Sequence, residues 1–560
     1  MKRVISFVLA AVMILTMTGC DNLLPGKNDV SDLMNNITVN PVKDVDVAEN
    51  AAKMLDFYLE LSRKTAGDGN MLVSPLSVLA ALSMTANGAK GQTLAQMENV
   101  LGLEVETLNS WMHSYLESLP QAKDNSLKLA NSIWFTDHET FTPAESFLQT
   151  NADYYGAGIY RAPFDGTTLT AINNWVSAHT NGMIQNILDE IPADAVMYLV
   201  NALAFEAQWS AAYEEHQVKE AVFTMTDGTE KTVKMMHSEE TAYLEDDQAT
   251  GFIKLYKGGK YAFAALLPNE GISTQAYLKS LTGESLYNML SNPEGITVFA
   301  AMPKFDMEYS VEMSNLLQAM GMKDAFDSDL ADFSGLGTST VGNICISRVL
   351  HKTAITVAEQ GTKAGAATAV EMRAYGAYQV PEHKTVTLDR PFVYMLIDCQ
   401  NNLPFFIGTI EDPTQTENEA TVRIDLEGET LKEPPALTIR CGNKTTYVRP
   451  FSYNWDYTNP DCDRRGVIAC GVHPLQFENY DSLQSENGEM ILIFGAPAES
   501  WSVTCWDAKY HGKTDAPTME VTLTEEGFLL NEGDCIYCIS AHWDTQQYNG
   551  TAEYTFRIEY

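Results

Sequence analysis

The side chains that could act chemically do not form a recognised catalytic pattern. The chain has no Gly-x-Ser-x-Gly, His-Glu-x-x-His or phosphate-loop motif, and its ten His residues show no ligand spacing. Cys535-Ile536-Tyr537-Cys538 has the spacing of a redox pair or of half a zinc site. It lies in a strand-like run, however, where residues three apart point to opposite faces. The sequence therefore predicts a protein that is not an enzyme and binds no metal or cofactor.

The segment that follows Glu359 has an unusual pattern. From Thr362 to Ala374 every second residue is uncharged and small or apolar, whereas Lys363 and Arg373 fall on the other face. This alternation is typical of a strand that is buried on one side. The many Gly and Ala residues nevertheless favour strand poorly. We interpret the segment as a strand held in reserve, and an Ala- and Gly-rich loop is the alternative.

Other motifs appear in a fixed order through residues 48–413. In chain order they lie at 70–77, 129–134, 172–176, 198–205 with Trp209, 302–305, 349–352 and 405–408. Together with the segment after Glu359, they closely resemble the serpin family of suicide inhibitors of serine or cysteine proteases. The resemblance implies an α+β fold with three β-sheets, about nine helices and an exposed reactive loop.

The resemblance also implies that the target protease supplies the chemistry. The protease attacks the exposed loop as a substrate and forms an acyl-enzyme. The cleaved loop then enters the main sheet as an extra strand, which moves its end by roughly 50 Å for ~15 residues. The attached protease is carried along, and its oxyanion hole is distorted before deacylation.

The family pattern places the bond that the protease attacks. Counting fifteen residues from Gly361 puts it between Tyr375 and Gly376. The segment is a little longer than in several relatives, so three other residues could precede the bond: Met372, Arg373 and Tyr378. A Tyr at this position implies chymotrypsin-like or cathepsin G-like targets, whereas an Arg would suit trypsin-like enzymes.

The remaining residues that match the family pattern form three groups, which the resemblance assigns to insertion of the loop into the main sheet. The hinge, which enters the sheet first, comprises Gly361, Thr362, Ala364, Ala366, Ala367 and Thr368. The shutter, a polar cluster beneath the sheet, comprises Ser74, Ser77, Asn201 and His351. The breach, where the loop enters, comprises Trp209, Lys304 and Glu359. Lys363 and Ala207 depart from the usual Glu and Gly.

Two other functions stay open. A non-inhibitory serpin that acts as a binding protein or chaperone usually carries charged or bulky inward hinge residues. Every inward hinge position here is small or apolar, which favours inhibition. The third function is adhesion to a cell surface or glycan through the C-terminal region.

The first twenty residues resemble a bacterial lipoprotein signal peptide. Lys2-Arg3 precedes an apolar run over 4–15, and Met17-Thr18-Gly19 leads to Cys20, which would be lipidated after cleavage. Met17 departs from the usual Leu, and ordinary secretion with cleavage near Gly19 is the alternative. Residues 21–47 then form a flexible tether. We expect a protein that is lipid-anchored on the extracellular side of the cell membrane.

The pattern of the last quarter of the chain predicts a second domain. Residues 414–420 are a polar linker, and 421–560 contain five to eight short alternating segments, which favours a β-sandwich. In an exported domain its six cysteines suggest disulfides: Cys441, Cys462, Cys470, Cys505, Cys535 and Cys538. Core packing is favoured over ligand stacking for its tryptophans: Trp455, Trp501, Trp506 and Trp543.

Size and charge limit the partners. A chain of 560 residues exceeds the usual size of one core, so more than one domain is expected. The formal net charge of −38 argues against nucleic acid, because phosphate binding needs a basic surface. The expected partner is a serine protease, bound covalently by a monomer.

Overall fold

The computed structural model describes most of the chain between residues 30 and 559. The described residues are 30–35, 37–67, 69–119, 125–137, 141–184, 187–188, 191, 197–340, 343–362, 382–415, 417–419, 434–435, 437–442, 444–458, 464–477, 480–484, 488–496, 498–524, 527–545 and 548–559. Contacts divide the chain into two compact units, 1–420 and 421–560. None of the helices formed by the described residues is long and apolar enough to cross a membrane.

The described residues of the first unit form nine α-helices. They are α1 (Ala51–Thr65), α2 (Pro75–Ala86), α3 (Gly91–Leu101), α4 (Val105–Ser118), α5 (Glu145–Tyr155), α6 (Gly166–His179), α7 (Thr274–Ser280), α8 (Gly283–Ser291) and α9 (Ser314–Ala319). Helix α2 begins where its sequence predicts, because the Ser74 hydroxyl accepts a hydrogen bond from the Ser77 amide and Pro75 occupies the first turn. Every residue of α2 is buried.

The first unit also contains twenty described strands. In chain order they are β1 (Ser31–Asp32), β2 (Met71–Val73), β3 (Asn125–Thr136), β4 (Phe141–Pro143), β5 (Gly158–Ala162), β6 (Met197–Gln208), β7 (Val218–Thr224), β8 (Glu230–Glu240), β9 (Tyr243–Glu245), β10 (Ala249–Leu255), β11 (Tyr261–Pro268), β12 (Thr297–Pro303), β13 (Phe305–Glu312), β14 (Gly337–Ser339), β15 (Arg348–Ala358), β16 (Gly361–Thr362), β17 (His383–Thr387), β18 (Phe392–Asp398), β19 (Leu403–Ile410) and β20 (Glu417–Glu419).

These strands form three large sheets and one small ribbon. The main sheet has eight strands in the order β1-β5-β3-β6-β16-β15-β13-β20. The second sheet has six strands, β2-β19-β18-β11-β10-β9, and the third has four, β17-β12-β8-β7. Strands β14 and β4 form the ribbon, and helix α2 packs between the main and second sheets. The predicted α+β class, with three sheets and about nine helices, is confirmed for the described residues.

The centre of the main sheet changes along its length. Strands β6 and β15 pair directly in parallel, from Tyr198 opposite Arg348 to Leu203 opposite Thr353. Beyond that stretch β16 lies between them and pairs antiparallel with both. Strands β6 and β15 are therefore paired directly at one end and separated at the other, where the short strand β16 lies between them.

The described part of the segment predicted to be a flexible tether, 21–47, packs against the rest of the first unit. Strand β1 pairs with β5 and forms the edge of the main sheet. The Asn40 backbone amide donates a hydrogen bond to Asp153 Oδ1 at 2.6 Å, and Trp111 Nε1 donates one to the Val47 carbonyl at 2.9 Å. The tether prediction is wrong for these residues, because strand β5 and the helices offer polar partners that the sequence does not reveal.

The polar linker predicted at 414–420 also differs in the structure. Its residues Glu417–Glu419 form β20, which pairs in parallel with the outer strand β13 of the main sheet. An edge strand has unpaired backbone groups on its outer side, and a following segment of chain can satisfy them. Composition alone indicated a linker because acidic and polar residues are uncommon in strands.

The second unit contains ten described strands in two sheets. They are β21 (Leu437–Cys441), β22 (Lys444–Val448), β23 (Ser452–Thr458), β24 (Arg464–Ala469), β25 (Asp481–Gln484), β26 (Glu489–Phe494), β27 (Ser500–Asp507), β28 (Gly527–Leu529), β29 (Cys535–Asp544) and β30 (Tyr548–Glu559). One sheet has the order β22-β21-β26-β28, and the other has β24-β23-β30-β29-β27 with β25 beside β30. Buried residues from both sheets share one core, so the predicted additional β domain is confirmed.

Four cysteines in the described part of the second unit are not joined in the disulfides that were predicted. Cys470, Cys505, Cys535 and Cys538 are thiols in the structure, and Cys462 lies outside the described residues. Cys535 and Cys538 belong to different core clusters on opposite faces of β29, as their spacing indicated. Most of the tryptophans pack in these cores: Trp455 and Trp543 are fully buried, and Trp506 is buried.

Candidate functional site

The structure places the first two hinge residues inside the main sheet. In β16, Gly361 pairs with Ala358 and Gln208, and Thr362 pairs with Val357 and Ala207. The next residues of the hinge and the proposed reactive bond lie outside the described residues: Ala364, Ala366, Ala367, Thr368, Met372, Arg373, Tyr375, Gly376 and Tyr378.

Gly361 occupies a position that only glycine suits. Its φ of +149° lies where L-residues are strained, and a Cβ there would lie 2.0 Å from the Ala207 carbonyl oxygen. The close approach arises because β16 begins in the narrow gap between β6 and β15. The sequence motif singled out this glycine, and the structure gives the physical reason for it.

Thr362 is the first hinge side chain to point into the core. It is only 1% exposed, and its hydroxyl shares a 2.6 Å hydrogen bond with the Tyr256 hydroxyl. Burial of a hydroxyl without such a partner would cost about 1–3 kcal/mol. Tyr256 was not identified from the sequence, because it follows β10 of another sheet and meets the hinge only in the folded chain.

Trp209 of the breach holds the chain immediately before the hinge. Its indole Nε1 donates a hydrogen bond to the Ala358 carbonyl at 2.8 Å, and its backbone amide donates one to the Gln360 carbonyl at 2.9 Å. The indole stacks on Tyr256 with ring centroids 4.4 Å apart and an interplanar angle of 9°. Trp209 thus connects the end of β15 to the tyrosine that binds the hinge threonine.

Lys304 and Glu359 form the ion pair expected at the breach. Lys304 Nζ lies 2.8 Å from Glu359 Oε1, and both side chains are about one-third exposed, at 36% and 33%. Desolvation opposes ionisation of Glu359, but the hydrogen bond and charge of Lys304 outweigh it and lower the pKa of Glu359. Solvent screening limits such a pair to about 1 kcal/mol, so its main effect is to orient Glu359.

Hydrogen bonds link three of the shutter residues at the direct pairing of β6 and β15. The Ser74 amide donates a hydrogen bond to His351 Nε2 at 3.0 Å, and the Ser77 amide donates one to Ser74 Oγ at 3.3 Å. His351 lies opposite Asn201 in the register, although the Asn201 side chain lies outside the described set. Burial lowers the pKa of His351 to about 3, so the ring is neutral and its Nε2 can accept the hydrogen bond.

Asn131 extends the shutter row and was missed as a site residue. It lies on β3 directly opposite Asn201, which in turn lies opposite His351 on β15. Three polar residues therefore cross three adjacent strands at one level. The sequence marks Asn131 as a polar residue inside the apolar strand motif 129–134. Only the pairing register of the strands shows that Asn131, Asn201 and His351 are neighbours.

Comparison with known proteins identifies the family of this chain. The family model described as "Serpin (serine protease inhibitor)" matches residues 48–413, well over half of the chain. The chain belongs to the serpin family. Serpins are mostly inhibitors or binding proteins rather than catalysts, and they generally bind target proteases.

Individual serpins match over almost their whole lengths. The structure of tengpin, a thermophilic serpin in its native state, is 46% identical with a TM-score of 0.66, and the match covers 69% of this chain and 100% of that one. Ipis-1 of Ixodes persulcatus is 32% identical over 371 residues, covering 64% of this chain and 96% of its own. Leukocyte elastase inhibitor A of Mus musculus is 30% identical over 376 residues, covering 64% and 97%.

Proposed function

We propose that this serpin is a suicide-substrate inhibitor of serine proteases, and of cysteine proteases as a second class, rather than a catalyst. The observation that carries the proposal is the position of Gly361 and Thr362 between β6 and β15. The reactive segment follows them directly, so these two hinge residues already occupy the place where an inserted strand would start.

Insertion would continue by separating β6 from β15. The strands pair directly through six residue pairs, from Tyr198 with Arg348 to Leu203 with Thr353. An inserted strand would form backbone hydrogen bonds on both of its sides in place of that single pairing. The alternate residues of 362–374 are small or uncharged and therefore suit the buried face.

The chemistry would be supplied by the protease and left incomplete. The protease nucleophile would attack the carbonyl carbon of Tyr375, the amine of Gly376 would leave, and Tyr375 would remain bound to the protease as an acyl group. Insertion of the remaining ~13 residues would move this group by roughly 43 Å at ~3.3 Å per residue. Deacylation needs an intact oxyanion hole, which the displaced protease would lose.

Tyr375 supports a chymotrypsin-like target. Such proteases accept an aromatic side chain before the cleaved bond, whereas cleavage after Arg373 would indicate a trypsin-like target. Leukocyte elastase inhibitor A of Mus musculus is named as an inhibitor of leukocyte elastase, which supports inhibition as the function.

Covalent capture tests the proposal. Incubation with a panel of serine proteases should give a 1:1 complex with a chymotrypsin-like enzyme that survives boiling in detergent. Mass spectrometry should find a released C-terminal peptide that begins at Gly376, and a start at Ala374 would move the site to Arg373. A protease whose nucleophile is replaced by Ala is the control and should give no complex. Simple degradation of the serpin without any complex would contradict inhibition.

We also propose that a lipid on Cys20 anchors the protein to the extracellular side of a bacterial membrane. The support is the apolar run over 4–15 that ends in Gly19-Cys20. Cys20→Ala should abolish lipid labelling and release the protein from the membrane fraction or leave it unprocessed. Unchanged attachment and processing of the variant would contradict the proposal, and secretion of the unmodified wild-type protein would support ordinary export instead.

A further inference from the structure

A buried ion pair lies behind the breach and was not among the residues identified from the sequence. Lys254 Nζ lies 2.8 Å from Glu240 Oε1, and the two side chains are 2% and 13% exposed. Lysine is rarely buried so completely, because removing its charge from water is costly unless a partner compensates. Lys254 belongs to β10 of the second sheet and Glu240 ends β8 of the third, so the pair joins two sheets.

The ammonium group also faces two aromatic rings of the breach. Lys254 Nζ lies 4.5 Å from the ring centroid of Tyr213 and 5.5 Å from that of Trp209. Both distances are within the range of a cation–π interaction, which is strongest where the cation is desolvated. The Tyr213 hydroxyl is also 3.3 Å from Ser238 Oγ on β8. The ion pair therefore supports one side of the segment that follows β6.

The other side of that segment binds the chain just before the hinge. The Tyr213 amide donates a hydrogen bond to the Glu359 carbonyl at 2.9 Å, and Trp209 binds the Gln360 carbonyl through its own amide at 2.9 Å. Lys254 is thus connected through two aromatic residues to the two residues that precede Gly361. The Lys304–Glu359 pair, which is about one-third exposed, also holds the first of these two residues.

We propose that the Lys254–Glu240 pair positions the breach, and that Lys254 is a positioning residue for entry of the loop into the main sheet. The inference rests on the proposed inhibitory function. The ammonium group fixes the Tyr213 and Trp209 rings, and the backbone amides of these two residues hold the Glu359 and Gln360 carbonyls so that the residues after Thr362 enter between β6 and β15. Without the charge, the rings lose their anchor and Glu240 becomes a buried carboxylate without its partner.

Lys254→Met tests this role, because Met keeps much of the side-chain volume and removes the charge. We expect the stoichiometry of inhibition to rise severalfold, while the rate of initial attack on the exposed loop stays unchanged. A general loss of stability would not by itself raise the stoichiometry of inhibition while leaving the rate of initial attack unchanged. Lys254→Arg keeps a cation at the rings and should restore stoichiometry close to the wild-type value.

The chain offers a matched control on the same strand β8. Lys234 and Glu220 form an ion pair of almost equal length, 2.9 Å, but their side chains are 59% and 68% exposed. Lys234→Met should leave the stoichiometry unchanged. If Lys254→Met matched the Lys234→Met variant and the wild type, the positioning role would be refuted. Should Lys254→Met fail to fold, Glu240→Gln is the second variant, and wild-type stoichiometry in it would refute the role equally.

A protease-free assay separates this inference from the proposed function. A synthetic peptide with the sequence of residues 361–374 should insert into the sheet of the wild-type protein and raise its melting temperature. Insertion should be severalfold slower in Lys254→Met than in Lys234→Met. Equal insertion rates would overturn the inference. Slower insertion in Lys254→Met, combined with no protease complex for the wild type, would support the inference and refute inhibition.

Discussion

Replacing Thr362 by Arg should convert the inhibitor into a substrate. Thr362 is 1% exposed, between two strands, and its hydroxyl is bonded to Tyr256. A guanidinium group at this position would be buried without a charged partner, at a cost of several kcal/mol, so β16 should leave the sheet. Leaving is less costly, because only the hydrogen bonds of two residues, about 0.5–1.5 kcal/mol each, are exchanged for water.

The kinetic consequence follows from the position of the substitution. The bond attacked by the protease lies about thirteen residues further along the exposed loop in the proposed scheme, so acylation should hardly change. Insertion must bury residue 362, and each ~1.4 kcal/mol added to its barrier slows it about tenfold. Deacylation then overtakes insertion, and the stoichiometry of inhibition should rise by about tenfold or more.

Titration of a fixed amount of protease with Thr362→Arg measures that stoichiometry, and denaturing gels should show cleaved serpin with little complex. Thr356→Arg is the matched control, because Thr356 lies on the neighbouring strand β15 with its hydroxyl bonded to Asp306 in an exposed hydrogen bond. That variant should inhibit like the wild type. A Thr362→Arg variant that traps protease at the wild-type stoichiometry would show that the hinge does not work as proposed.

Three further outcomes are expected. Cleavage of the reactive loop should raise the melting temperature sharply, because the main sheet gains a central strand; equal melting of cleaved and intact protein would exclude insertion. Tyr256→Phe should leave the Thr362 hydroxyl without its partner, which costs about 1–3 kcal/mol and should speed hydrogen exchange at the Thr362 amide. Burial lowers the pKa of His351 to about 3, so below the unfolded value of 6.5 the unfolded chain binds a proton that the native ring does not. Stability should therefore fall by about 2 kcal/mol between pH 7 and pH 5, and His351→Gln should flatten that part of the denaturant-midpoint profile if the ring is responsible.

The family could be predicted from the sequence because its motifs depend on local patterns. Ser74 and Pro75 begin a helix through contacts within one turn, and Gly361 is required by the backbone conformation at one position. Such features are encoded within a few residues and appear in the same order along the chain. The alternation of small and charged residues after Glu359 is likewise visible without any partner strand.

Contacts between distant segments could not be predicted in this way. The polar character of residues 21–47 indicated a tether, but Ser31–Asp32 of this segment pair with β5, which would otherwise have an open edge. Glu417–Glu419 were expected in a linker for the same reason and pair with β13. The polar sequence of a segment does not reveal whether the edge of a sheet lies close enough for the segment to pair with it.

The sequence by itself determined the order of the serpin motifs, the glycine of the hinge and the face of the reactive segment that can be buried. These properties depend on backbone conformation and on side-chain alternation within one segment. Only the tertiary structure decided that Thr362 is already buried against Tyr256, and that Lys254 with Glu240 lies behind the breach. Both contacts join residues from different sheets, and their partners are chosen by how the sheets pack rather than by any local preference.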